Sequence, residues 1–163
     1  GKLLKNNEVG NILVKSDSFF GSYYMQPEES KIAYQNGWFH TGDLGYFDED
    51  GYLTIEGRKK EIIKKGGFNI NPKEIDAIIS KFEGVKEAYT IGIPDQKYGE
   101  EIFTFLIAED QINLKILKKY CMQSMQKNYV PGFFHILENL PRNNSGKISL
   151  TELKKLAKKI TRI

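Results

Sequence analysis

The apolar and polar positions divide this chain into two stretches of different texture. Through about residue 57 the apolar residues come in short groups: Val9, Ile12 and Val14, then Tyr46 and Phe47, then Tyr52 to Ile55. Turn residues separate them, and the pattern predicts short strands. A loop over residues 21–30, punctuated by Pro27, leads into a short helix near residues 28–34. Asp50-Gly51 predicts a hairpin turn, because glycine accepts a positive φ without a Cβ clash. This stretch has too few core positions for a domain of its own and reads as the end of something larger.

From Arg58 onward the periods lengthen. Residues 61–64 and 68–70 predict a hairpin around Gly66-Gly67. A helix then opens with Asn71 as N-cap, Pro72 at the first helical position and Glu74 three residues after the cap. Ile75, Ile78, Ile79 and Phe82 define its buried face, and Gly84 stops it. Residues 85–93 and 101–108 predict strands, separated by a Pro94-Asp95 turn and Gly99. A helix over 114–127 buries Leu114, Leu117, Cys121 and Met125. Residues 133–137 predict another strand. The last helix starts at the capping box Ser149-Leu150-Thr151-Glu152, with Leu150, Leu153, Leu156 and Ile160 facing inward. The second stretch is therefore α+β, with helices packed on a small sheet.

Composition narrows the function classes. The 24 basic and 21 acidic residues nearly cancel, at a net +3. That balance does not call for a nucleic-acid partner. Cys121 is the only cysteine, so an intrachain disulfide and a cysteine-rich metal site are excluded, and a reducing, cytoplasmic setting is expected. No apolar run is long enough to span a bilayer. His40 and His135 are too isolated for a metal site. Asp48-Glu49-Asp50-Gly51 is not a calcium loop, because Tyr46 and Gly57 stand where ligands are required. Gly146-Lys147-Ile148-Ser149 is not a phosphate loop, because no hydroxyl residue directly follows the lysine. The lysines of the last helix read as a solvated face.

Several residues could carry chemistry, each with a plainer alternative. Asp43, expected in a loop, could accept hydrogen bonds from a ribose diol or simply cap a Thr-Gly-Asp turn. Arg58 offers a planar guanidinium to phosphate or ribose, or an ion pair to Glu56 or Glu61. Lys64, Lys65, Gly66 and Gly67 form a basic loop with a bare backbone, past which a thin ligand arm could run; the same residues make an ordinary hairpin turn. Lys147 follows Asn143, Asn144, Ser145 and Gly146, a polar loop expected to be flexible. It is either a mobile cation for a phosphate or one more surface lysine.

Three motifs occur in a fixed order: Trp38-Phe39-His40-Thr41-Gly42-Asp43-Leu44, then the stretch from Gly57 to Asp76, then Pro141-Arg142-Asn143-Asn144-Ser145-Gly146-Lys147. Together they resemble the C-terminal part of the acyl-adenylate-forming enzymes: the acyl-CoA synthetases, the peptide-synthetase adenylation domains and the luciferases. The resemblance covers essentially the whole chain. It implies a strand-rich remnant of a large N-terminal domain over residues 1–57 and a small lid domain over 58–163, with a hinge at Lys60. It implies that Asp43 binds the ribose hydroxyls of ATP and that Arg58 contacts the nucleotide. Lys147 is implied as the lysine that meets the acyl carboxylate and the α-phosphate. Lys64, Gly66 and Gly67 are implied to line the channel for a pantetheine arm.

The implied function is activation of a carboxylic acid as acyl-AMP, then thioester formation with CoA or a carrier pantetheine. ATP/AMP and Mg²⁺ are the implied cofactors, held mainly by the large domain. The implied partners are that domain and CoA or an acyl carrier protein, with no nucleic acid and no membrane span. The large domain's phosphate loop and acyl pocket are missing here, so the chain alone is expected to be inactive. The alternative is a stand-alone interaction module that reuses the lid fold without catalysis.

Overall fold

The computed structural model describes residues 2–18, 21–109 and 112–161. The chain forms two compact units, Gly1–Lys60 and Glu61–Ile163. The division falls three residues beyond the boundary expected from sequence, because Arg58 still pairs in the first unit's sheet.

In the first unit, β1 (Gly10–Val14), β2 (Tyr34–Gln35), β3 (Trp38–Phe47) and β4 (Leu53–Arg58) form an antiparallel sheet in which β3 pairs with each of the others. A short helix, α1 (Pro27–Ala33), precedes β2. The turn between β3 and β4 is the expected one: Gly51 has φ +82°, and Asp48 Oδ1 accepts from the N–H groups of Asp50 and Tyr52. Among this unit's described residues only Ser30 and Ala33 have buried side chains. Trp38, Phe47, Tyr52, Leu53 and Ile55 are all exposed.

The second unit is built on a five-stranded sheet. Strands β7 (Val85–Asp95) and β8 (Gly99–Ala108) pair antiparallel from Val85–Ala108 to Asp95–Gly99. β9 (Phe133–Ile136) runs parallel to β8 on its other side. The hairpin of β5 (Ile63–Lys65) and β6 (Phe68–Ile70) joins the start of β8 through Lys65 and Gly99. The Pro94-Asp95 turn expected from sequence is displaced. Both residues pair within β7, and the chain turns at 96–98, where Asp95 Oδ1 accepts from Lys97 and Tyr98 N–H.

Helices cover both faces of this sheet. α2 (Pro72–Ile79) starts as its sequence specifies, with Asn71 Oδ1 accepting from Lys73 N–H and Pro72 in the first turn. α3 (Leu114–Ser124) ends earlier than its apolar pattern suggests and is followed by a 3₁₀ turn, Lys127–Tyr129. Ile75, Ile79, Leu117 and Cys121 from these helices pack with Ile63, Ile70, Ile102 and Leu106. On the other face α4 (Leu150–Thr161) sets Leu153 and Ala157 against Ile91, Ile93, Phe103 and Phe105. Ile160, expected inward, is 39% exposed. Residues 102–106 of β8 are buried throughout, as in a strand covered on both faces.

One acid sits badly in this core. Asp76 of α2 faces Thr90 of β7, whose polar groups favour the charged carboxylate. Oδ1 is buried without a hydrogen-bond partner among the described residues. Burial pushes the carboxyl up to about 7, against the lowering effect of Thr90. An acid raised in the folded state is neutral and harmless below its unfolded value near 3.8. Its penalty grows as pH rises and is complete above the folded value. Asp76→Asn is therefore expected to stabilise the protein near pH 8, by up to about 4 kcal/mol for a shift of roughly three units. The advantage should vanish near pH 4. Urea unfolding of both proteins at the two pH values measures it, and a larger gain at acid pH contradicts this account of Asp76.

Candidate functional site

Asp43 does not lie in the loop expected from sequence but inside β3, directly across from Arg58 at the end of β4. The strand is irregular there. Gly42 adopts φ +78°, its carbonyl accepts from Lys59 N–H, and the register slips between Leu44 and Gly45. Thr41 Oγ1 donates to Ile12 C=O and accepts from Asp43 N–H, which pins the kink to β1. The kink makes Asp43 and Arg58 neighbours, with Nε of Arg58 2.8 Å from Oδ1 of Asp43. The arginine thus pairs with Asp43. The contact uses one carboxylate oxygen, and the guanidinium remains mostly exposed. An acid and a fork of donors side by side can serve a diol and an adjacent phosphate together.

The basic glycine loop is the tip of the β5–β6 hairpin. Gly66 and Gly67 have φ of +57° and +85°, the pair of left-handed residues that a two-residue turn between twisted strands demands. The tip is fastened to the β7–β8 turn. Gly66 N–H donates to Tyr98 C=O at 2.9 Å, and Lys64 N–H donates to Glu100 Oε2 at 2.6 Å. Lys65 Nζ pairs with Glu101 Oε1, with side chains only 12% and 14% exposed. The same oxygen accepts from Ile102 N–H. Gly132 packs so closely on Glu101 that a Cβ would come within 2.8 Å of its carboxyl carbon. The hairpin tip borders a cavity of about 300 Å³ lined by Lys65, Gly66, Phe68, Tyr98, Glu101, Lys127 and Asn128. Of the loop's two lysines, Lys64 is exposed while Lys65 is bound into the structure.

Lys147 lies in an exposed loop before α4. Sequence composition suggests a flexible segment, but the structure closes it. Asn143 N–H donates to Lys147 C=O at 2.8 Å, Gly146 N–H to Asn143 C=O at 2.9 Å, and Ser149 N–H to Pro141 C=O at 2.8 Å. Arg142 and Ile148 form an antiparallel bridge across it. Asn143 Oδ1 accepts from Ser145 N–H, Ser145 Oγ and Lys147 N–H. Lys147 itself enters no ion pair among the described residues. Lys60 is exposed and ends the first unit, in the turn between β4 and β5.

The structure therefore brings Asp43 to Arg58 in one unit, and gathers Lys64, Gly66 and Gly67 on one hairpin in the other. Sequence reasoning missed Glu100, Glu101 and Tyr98, which hold that hairpin. Their signal was two adjacent acids opening an otherwise apolar strand, where a solvated strand end is the simpler expectation. Among the described residues no cluster of three or more His, Cys, Asp or Glu could hold a metal ion, and no helix is long and apolar enough to cross a membrane.

Residues 74–147 match the AMP-binding enzyme C-terminal domain. The chain is 38% identical over 150 residues to the oxalate–CoA ligase of Arabidopsis thaliana, covering 91% of itself and 29% of that enzyme. It is 38% identical over 159 residues to the 2-succinylbenzoate–CoA ligase of Listeria monocytogenes, covering 94% of itself and 34% of the relative. ATP-bound MatB from Rhodopseudomonas palustris superimposes with a TM-score of 0.89 at 33% identity, over 98% of this chain and 32% of that one. The o-succinylbenzoate CoA synthetase of Bacillus subtilis, in complex with its acyl-adenylate intermediate, gives 0.84 at 34% identity, over 94% and 32%. The chain spans about a third of the length of the curated relatives it matches.

The Lys65–Glu101 pair is open to direct measurement. Removing one member of a buried ion pair strands the other charge, which typically costs about 3–5 kcal/mol, whereas replacing both with apolar groups is often neutral. Glu101→Leu is expected to destabilise the protein by about that amount. Lys65→Met added to Glu101→Leu should return stability to near wild type. Urea unfolding of the two variants measures this, and a single variant as stable as wild type removes the pair as a fastening of the hairpin.

Proposed function

As this chain belongs to the acyl-adenylate-forming enzymes, with residues 74–147 their AMP-binding C-terminal domain, we propose that it is the lid, with an adjoining strand-rich piece, of an ATP-dependent acid–thiol ligase. In the first half-reaction an acyl carboxylate oxygen attacks the α-phosphorus of ATP, and pyrophosphate leaves. In the second, a thiol attacks the acyl carbon of acyl-AMP and AMP leaves, giving a thioester of CoA or of a carrier pantetheine. The observation that carries this reading is the match of 98% of this chain, the Asp43–Arg58 region included, to 32% of an ATP-bound enzyme.

Asp43 and Arg58 would hold the ribose hydroxyls and the nucleotide. Lys147 would offset the negative charge that builds on the α-phosphate and the attacking carboxylate, a fixed cation aimed at a developing charge. The Lys64–Gly67 hairpin would border the path of the pantetheine arm. Mg²⁺ that accompanies ATP finds no cluster of three or more His, Cys, Asp or Glu among the described residues. The exposed apolar side chains of β3 and β4 support a larger domain as the first unit's partner. A cytoplasmic setting supplies both ATP and CoA.

Two half-reactions with different needs call for a lid that turns. Lys60 ends the first compact unit, which supports it as the residue whose backbone rotates. In one state Lys147 would face the phosphate, and in the other the glycine hairpin would face the thiol.

Lys147→Ala in the longer enzyme is expected to slow acyl-AMP formation by on the order of 10²–10³, as for loss of one preorganised donor. Thioester formation from supplied acyl-AMP should survive. Single-turnover assays of each half-reaction measure both, with the 163-residue chain alone expected to stay at background. Equal loss in both half-reactions would make Lys147 structural.

Lys60→Pro is expected to split the half-reactions the other way. Proline fixes φ near −65° and removes a backbone donor. The variant should still form acyl-AMP and fail to transfer the acyl group. Transfer at the wild-type rate would take Lys60 out of the hinge role.

A further inference from the structure

The loop that carries Lys147 is exposed, yet it is held by more hydrogen bonds than an exposed connection needs. Asn143 is at its centre. Its side-chain oxygen accepts from Ser145 N–H at 3.1 Å, from Ser145 Oγ at 2.8 Å and from Lys147 N–H at 3.0 Å. Three donors converging on one atom fix it as the oxygen of the carboxamide, since the amide nitrogen can only donate. Asn143's own backbone closes the ring through Lys147 C=O and Gly146 N–H. Both backbone polar groups of Lys147 therefore end on one residue, Asn143.

A second anchor ties the ring to the sheet. Arg142 donates from Nη1 to Gly146 C=O at 3.2 Å, and from Nη2 to Glu87 of β7 at 3.2 Å. Gly146, at φ +79°, provides the left-handed residue that turns the chain back toward the asparagine. The arrangement fixes the point from which the Lys147 side chain departs, while its ammonium group joins no ion pair among the described residues.

We infer that Asn143 is a positioning residue for acyl-AMP formation: its carboxamide oxygen sets the backbone of Lys147 and so aims the lysine's charge. The inference rests on the reading of Lys147 as the adenylation lysine. Asn143 touches neither substrate in this scheme and acts only through Lys147. An exposed ring of hydrogen bonds contributes little to keeping a domain folded, because water replaces each bond when it is lost. Placement of a catalytic charge is far less forgiving: a displacement of about 1 Å can slow a reaction roughly 10²-fold. The effect of removing the carboxamide oxygen should therefore fall on rate rather than on folding.

The test uses the longer enzyme that contains this chain. Asn143→Leu keeps the shape of the side chain and removes the acceptor. Asn143→Thr restores an acceptor hydroxyl, a weaker form of the same turn. Lys147→Ala and the double variant Asn143→Leu/Lys147→Ala complete a cycle. Single-turnover acyl-AMP formation, thioester formation from supplied acyl-AMP and thermal unfolding are measured for each. Asn143→Leu is expected to slow acyl-AMP formation by about 10- to 100-fold, to leave thioester formation nearly unchanged and to unfold close to the wild-type temperature. Asn143→Thr should recover most of the lost rate. The double variant should be no slower than Lys147→Ala alone, because two residues that act as a unit are not additive. A wild-type rate for Asn143→Leu beside a crippled Lys147→Ala overturns the inference and leaves the reading of Lys147 standing. A wild-type rate for Lys147→Ala overturns that reading itself. Equal loss of both half-reactions, a double variant slower than Lys147→Ala, or an Asn143→Leu protein that does not fold also overturns the inference, since each assigns Asn143 a role other than aiming the lysine.

Discussion

Strand β8 is the member on which the second unit depends. Its middle residues, Ile102 to Leu106, are buried on both faces, with Phe103 and Phe105 against α4 and Ile102 and Leu106 against α2 and α3. A strand covered on both sides cannot slip by one residue without exchanging the two cores. Thr104 marks the same constraint from the polar side, since its hydroxyl must find Thr90 at 2.8 Å in the neighbouring strand. The register of β8 is thereby fixed, and so is the position of its first residues. Those residues are Gly99, Glu100 and Glu101, which hold the glycine hairpin. The core thus places the hairpin, through a strand that runs from one to the other.

The two loops at issue are stabilised by opposite means. The hairpin tip is held by a nearly buried ion pair, by Gly66 N–H on Tyr98 C=O and by the close approach of Gly132 to Glu101. Such a pair adds little net stability but tolerates few alternative geometries. The Lys147 loop is held by exposed hydrogen bonds around one asparagine, which water can replace individually and which act together only while the ring is closed. The buried pair takes a lysine's charge out of play, since Lys65 is neutralised by Glu101. The exposed ring leaves a lysine's charge available. The difference matches what each loop is proposed to do: one offers a bare backbone to a neutral arm, the other a cation to a phosphate.

Local chemistry was the part of this fold legible in the sequence. Asn71-Pro72 starts α2, Asp50-Gly51 turns β3 into β4, and Gly66-Gly67 makes the hairpin, each because one residue's own backbone preference decides the outcome. The α+β class followed from the change of period near Arg58. The placement of Asp43 was not legible. Thr41-Gly42-Asp43 has the composition of a turn and bends like one, but β1 and β4 pair on either side and keep it in the sheet. The Lys65–Glu101 pair was not legible either, because its partners are 36 residues apart and meet only when β5 docks on β8. Asn143 was visible as a residue and invisible as a role: a polar loop reads as loose until its acceptors are seen to converge.

Asp76 shows the limit of reading function from a perturbed group. Its carboxyl is shifted upward by burial, the kind of shift that marks many catalytic acids. Its neighbours argue otherwise. It faces Thr90 of β7, whose hydroxyl meets that of Thr104, and it belongs to none of the loops that carry the proposed chemistry. Lys147, by contrast, is exposed and has no ion-pair partner among the described residues, and every polar group of its backbone is committed to holding it in place. In the lid proposed above, which would deliver a charge and then remove it, the acting residue is better sought where the backbone is fixed and the side chain is free than where a side chain is buried.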